Sequence, residues 1–184
     1  MDKTMADRLP LALGQINAEV GAISRNMERM LRVIEKVRVD HVPLLTFPEM
    51  SLVGYPPEDR LFQSSLLTAV RAAEETLILA SRRLFLIFGS ITLHQGRLYN
   101  TAVVAVNGRI LDRVFKQKLP NYGVFDEVRY FSPGERTTVY DWHGWRLGVS
   151  VCEDMWYPDG PYLQQARAGA DVLINISASP FFFI

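Results

Sequence analysis

Residues 84–115 read LFLIFGSITLHQGRLYNTAVVAVNGRILDRVF, and they decide the class of fold. Three apolar runs, 84–93, 98–106 and 109–115, are divided by Gln95-Gly96 and Asn107-Gly108. Asn-Gly supplies two adjacent residues that tolerate positive φ, as a type I′ hairpin requires. An antiparallel meander is therefore expected. Upstream the hydrophobic period lengthens. Met27, Met30, Leu31, Ile34 and Val37 recur at helical steps over 26–39, and Leu66, Leu67, Val70, Ala73, Leu77 and Ala80 do so over 64–83. Short apolar runs at 11–16 and 42–47 precede them as strands. Downstream, 137–142 and 145–152 form a hairpin around His143-Gly144, 162–168 is helical, and 172–176 is a buried strand. The Pro- and Gly-containing stretches 47–57 and 119–136 are loops. Helices alternating with a mixed sheet indicate an α/β layered domain spanning 1–184.

Composition narrows the function. Of 184 residues 48% are hydrophobic and 22% charged, enough apolar material for one core. Twenty basic residues balance 20 acidic ones, so no electrostatic footprint favours nucleic acid or an anionic membrane. No apolar run approaches the ~20 residues that cross a bilayer, and the start lacks the apolar stretch of a secretory signal. A single cysteine excludes an internal disulfide, and a cytoplasmic location is expected. His41, His94 and His143 stand alone, so no metal site is expected. No Gly-rich phosphate loop occurs, and the sequon at Asn175 is inert in a chain without a secretory signal.

Three reactive side chains follow expected strands: Glu49 after 42–47, Lys116 after 109–115, and Cys152 at the end of 145–152. A thiol of pKa ~8.5 is little ionised at neutral pH and needs a base to act as nucleophile. Glu49 could supply that base, and Lys116 could stabilise an oxyanion. Taken singly, each has an ordinary alternative: a solvated turn carboxylate, a solvated strand-end lysine, and a cysteine serving as a small core hydrophobe.

The segments TFPEMSLVGYPPEDRL, FKQKLPNYGVFDEVRYFSPGE and GVSVCEDMWYPDGP resemble the three signature segments of the nitrilase superfamily of carbon-nitrogen hydrolases. Within it, GYPPEDRL, KLPNYGVFDEVRYF and NISASPF resemble the N-terminal glutaminase domains of glutamine-dependent NAD synthetases. The resemblance implies a nitrilase-like α/β/β/α sandwich, homo-oligomeric assembly, and a catalytic Glu49, Lys116 and Cys152. It assigns Lys118 no catalytic role, although Lys118 stands where the family pattern usually carries histidine. It makes Glu127 the support of Lys116, and places Tyr122, Glu153 and Ser179 around a glutamine or small-amide substrate. No cofactor is expected within the chain, since ATP and magnesium would serve a separate synthetase domain. The sandwich is expected to be incomplete at its C-terminal side: the apolar residues Phe181, Phe182, Phe183 and Ile184 are either buried or mark the chain as a fragment of a larger domain. A nitrilase-type amidase on another amide and a non-catalytic fragment are the alternatives.

Overall fold

The structure, a computed structural model, describes residues 8–179, so the apolar stretch 181–184 lies outside the described residues. Eight strands are described: β1 (Leu11–Leu13), β2 (Leu44–Thr46), β3 (Phe85–His94), β4 (Arg97–Val106), β5 (Arg109–Phe115), β6 (Val139–Trp142), β7 (Trp145–Val151) and β8 (Val172–Ile176). Three α-helices accompany them: α1 (Ile23–Val39), α2 (Ser64–Ala80) and α3 (Pro161–Arg167). A five-stranded sheet has the order β1-β2-β3-β4-β5, parallel through β3 and antiparallel beyond it. The second sheet has the order β6-β7-β8.

Side-chain period explains how the layers stack. Along β3, Leu86 and Phe88 join the core beneath the helices, whereas Phe85 and Ile87 join the core between the sheets. Neighbouring β4 repeats the division, with Val103 and Ala105 on one side and Ala102 and Val104 on the other. Strands buried on both faces read as continuous apolar runs, which is why 84–88 and 102–106 show no polar alternation. Met30, Ile34 and Val37 of α1 and Val70, Ala73 and Leu77 of α2 close the first core. In β7, Leu147, Val149 and Val151 face the five-stranded sheet. The alternate position Gly148 faces α3, where a Cβ would meet Gln165 at 2.8 Å. The order of layers is thus α/β/β/α.

Turn chemistry holds as expected. Gln95-Gly96, Asn107-Gly108 and His143-Gly144 all have positive φ at both positions. Several boundaries differ from the sequence reading. The first strand stops at Leu13 rather than 16, and the second spans Leu44–Thr46 within 42–47. Helix α2 ends at Ala80 rather than 83, because the Ser81 hydroxyl donates back to Ile78 O (2.7 Å) and accepts from Gly108 N–H. The loop 119–136 contains a 3₁₀ turn, Glu127–Arg129, and another covers Glu58–Phe62. The seventh strand ends at Val151, leaving Cys152 to open a 3₁₀ turn. Among the described residues no helix is long and apolar enough to cross a membrane.

Candidate active site

Glu49 lies on the tight turn after β2. Met50 takes φ 48, and the turn is laid directly on Gly89 of β3. A Cβ at Gly89 would stand 2.1 Å from Met50 N and 2.4 Å from Pro48 O, so only glycine admits this approach. Gly89 N–H donates to Pro48 O, and Leu52 N–H donates to Gly89 O, fixing the turn to the sheet. Lys116 extends β5 by one ladder bond, its N–H donating to Asn100 O at 2.9 Å. Cys152 follows β7 with φ 45, a conformation costly for a residue with a Cβ and concentrated at functional sites. Asn175 of β8 donates to the Cys152 carbonyl at 3.2 Å.

These elements bring together a buried chain of charge. Lys116 Nζ donates to Glu49 Oε1 and to Glu127 Oε1, each at 2.8 Å, and all three residues are 3% exposed or less. The Asn100 side-chain amide donates to Glu49 Oε1 (2.7 Å) and Glu127 Oε2 (3.4 Å), and Tyr55 OH donates to Glu127 Oε1 (3.0 Å). Ala178 N–H donates to Glu49 Oε2 at 2.9 Å. Removing one partner from such a buried ionic cluster costs about 3–5 kcal/mol, because the remainder is left uncompensated.

The electrostatics follow from two carboxylates sharing one ammonium. Burial alone would lower the Lys116 pKa, but Glu49 and Glu127 outweigh it and hold the side chain cationic. Burial raises the Glu127 pKa; Lys116 opposes that shift, whereas the Glu49 charge adds to it. The Cys152 thiol is pushed up to about 11, first by burial and then by the negative charge of Glu49, with Lys116 pulling the other way. The Ser179 side chain also acts on the thiol, lowering its pKa. A thiol so placed is neutral at pH 7 and cannot react without a base beside it.

A cleft of about 450 Å³ opens onto this cluster, lined by Glu49, Tyr55, Val124, Phe125, Ala178 and Ser179 among others. Cys152 is not on its wall, but Glu49 and Ser179, both of which act on the thiol, are. Ser179 therefore lies at the cleft, whereas Glu153 is buried and accepts from Tyr122 OH at 2.8 Å. Lys118 points elsewhere: its ammonium pairs with the exposed Asp159 at 2.7 Å and lies over the Tyr157 ring. Asn100, Tyr55, Asn175 and the Ala178 N–H were missed in the sequence. Tyr55 carried a signal as part of GYPPEDRL, and Asn175 and Ala178 as part of NISASPF, whereas Asn100, an asparagine inside a strand, has no motif of its own. Among the described residues no group of three or more His, Cys, Asp or Glu could hold a metal ion.

The chain is 39% identical over 174 residues to the glutamine-dependent NAD(+) synthetase of Aquifex aeolicus, covering 94% of this chain and 30% of that relative. Its fold matches the solved glutamine-dependent NAD+ synthetase of Acinetobacter baumannii with a TM-score of 0.89 at 31% identity, over 95% of this chain and 33% of the other. An amidase of the nitrilase superfamily from Nesterenkonia sp. matches with a TM-score of 0.83 at 26% identity, over 95% of this chain and 68% of that one. The chain thus spans about a third of the length of the synthetases it matches. The family description "Carbon-nitrogen hydrolase" fits residues 10–182, which takes in all three strand-end loops that meet in the buried cluster, and the chain belongs to that family.

Proposed function

We propose that this chain is a glutamine amidohydrolase domain whose ammonia supplies the conversion of deamido-NAD to NAD. The observation that carries the reading is the buried bridge of Lys116 between Glu49 and Glu127, set beside the only thiol. The names of the synthetase relatives point to glutamine as the amide donor and to NAD as the product of the whole enzyme.

Glu49 accepts the Cys152 proton, and the thiolate attacks the amide carbon. The negative oxygen that forms is stabilised by the Lys116 ammonium and the backbone N–H of Glu153, each donor of this kind being worth about 3–4 kcal/mol. Glu49 returns the proton to the departing nitrogen, ammonia leaves, and a glutamyl thioester remains. Water, deprotonated by Glu49, then releases glutamate and restores the thiol. Glu127, with Asn100 and Tyr55, holds Lys116 in place. Tyr122, Glu153 and Ser179 form the substrate side, where polar partners would favour glutamine over a plain amide. Homo-oligomeric assembly and a cytoplasmic setting accompany this reading, supported by the resemblance and the balanced charge.

Ammonia release from glutamine and from simple amides tests the proposal. Cys152→Ala should abolish it, Lys116→Met should reduce it by about two to three orders of magnitude, and Lys118→Met should leave it within a few-fold. Near-normal release by the alanine variant, or a larger loss at Lys118 than at Lys116, would overturn the assignment. Faster turnover of simple amides than of glutamine would instead favour the amidase reading, which the likeness to the Nesterenkonia sp. enzyme supports.

A further inference from the structure

Lys116 and Cys152 arrive from different sheets. Lys116 follows β5 of the five-stranded sheet, and Cys152 follows β7 of the three-stranded one. Between the sheets lie apolar side chains such as Val104, Val114, Leu147 and Val149, whose contacts are not directional. Apolar packing sets the spacing of the layers but leaves the relative position of two strand ends weakly defined. Hydrogen bonds at those ends can define it, because each demands a distance and an angle.

Asp154 makes such bonds. Its Oδ1 accepts from Gln117 N–H and Lys118 N–H, both at 2.8 Å, and its Oδ2 accepts from Val151 N–H at 3.0 Å. The two residues after the lysine and the residue before the cysteine are thereby tied to one carboxylate that is 1% exposed. We infer that Asp154 is the positioning residue of this site, a staple between the two sheets that fixes Lys116 against Cys152. It rests on the assignment of Lys116 and Cys152 proposed above. Three donors, two from the loop after β5 and one from the end of β7, explain why an acid stands here and not an amide. Asparagine has one accepting oxygen, so its NH₂ would have to face either Val151 N–H or the pair from Gln117 and Lys118. Burial is the larger effect and raises the Asp154 pKa above the usual aspartate value, and the three backbone donors of the staple oppose that rise.

Asp154→Asn keeps the volume and breaks the staple. A displacement of about 1 Å between catalytic groups costs on the order of 10²-fold in rate, so kcat should fall by about 10- to 100-fold while KM changes less than about threefold. The same variant should require higher pH for half-maximal alkylation of Cys152 by iodoacetamide, because the thiol loses part of the Lys116 field. Asp171→Asn serves as the comparison. Asp171 likewise accepts a backbone N–H, from Arg146 at 2.8 Å, but away from the cluster, and its variant should match the wild type in both measurements. In the wild-type chain, amide hydrogen exchange at Gln117 and Lys118 should be slow although neither lies in a strand, and this readout requires neither turnover nor a folded variant. Rapid exchange at both amides, an unchanged alkylation profile in a folded Asp154→Asn, or kcat within threefold of wild type would overturn the staple. Loss of turnover in every variant and in the wild type, with the exchange and alkylation results as expected, would count against the glutaminase reading while supporting the role of Asp154.

Discussion

The chemistry proposed for this site turns on a thiol that the fold keeps protonated. Cys152 is raised from the ordinary value near 9 to about 11 by burial and by Glu49. In the folded chain the thiol therefore retains its proton over a range where the unfolded chain has lost it. The stability this contributes is fully present below pH 9 and is lost as pH rises toward 11. Two pH units correspond to about 3 kcal/mol. Urea unfolding of wild type and Cys152→Ala at pH 8 and pH 11 should show the wild type losing up to that much more than the variant. Tyr140, whose pKa burial also raises, is present in both proteins and cancels in the comparison, as does Tyr55 apart from the part of its shift that the Cys152 charge supplies. An equal loss in the two proteins would mean that the thiol is not buried as described.

At the scale of elements, the turn that carries Glu49 is shaped by the strand beneath it. Gly89 of β3 leaves no room for a methyl group, since the atoms in its way belong to the backbone of Pro48, Glu49 and Met50. Gly89→Ala must therefore push the turn off the sheet and move Glu49 relative to Lys116. Ammonia release per folded molecule should fall by about 100-fold. Gly96→Ala, at a hairpin tip where a Cβ meets nothing within 4 Å, pays only for its φ of 75 and should cost about 1 kcal/mol of stability with no loss of turnover. Comparable activity in the two variants, measured after correction for the folded fraction, would show that the turn yields without displacing the carboxylate.

Over the whole molecule, two cores have different duties. The core beneath α1 and α2 supports one face of the five-stranded sheet, whereas the core between the sheets also sets how far β7, and with it Cys152, stands from that sheet. Ile34 belongs to the first and Leu147 to the second, and both are almost fully buried. Each truncation to alanine should cost about 2–5 kcal/mol. Leu147→Ala should in addition lower turnover per folded molecule several-fold, and Ile34→Ala should not. Urea unfolding combined with ammonia release checks both halves of the statement. Equal specific activities would mean that the spacing of the sheets does not reach the site.

The sequence by itself determined what is local. Helical periods marked α1 and α2, paired positive-φ dipeptides marked three hairpins, and a β3–β4–β5 meander followed from residues 84–115 without reference to anything distant. The signature segments also singled out Glu49, Lys116 and Glu127, which the structure joins in one buried cluster, together with Cys152, and kept Lys118 out of the proposed catalytic set. Helix α2 ran three residues too long in the sequence because the bond that ends it reaches to Gly108 across a hairpin. What only the tertiary structure decided is which groups meet. Glu49 lies 67 residues from Lys116 and 129 from the backbone N–H of Ala178, yet each bonds its carboxylate within 3 Å. Asn100 sits in the middle of an apolar strand, where its type announces nothing until Glu49 and Glu127 are brought against it. The stacking of one sheet on the other left no mark in hydrophobic period or turn chemistry, because a strand buried on both faces is simply apolar, and only the family resemblance implied it. Period and turn chemistry act within a few residues, whereas the geometry of this site is set by layers packing face to face, and no short window of sequence contains both layers.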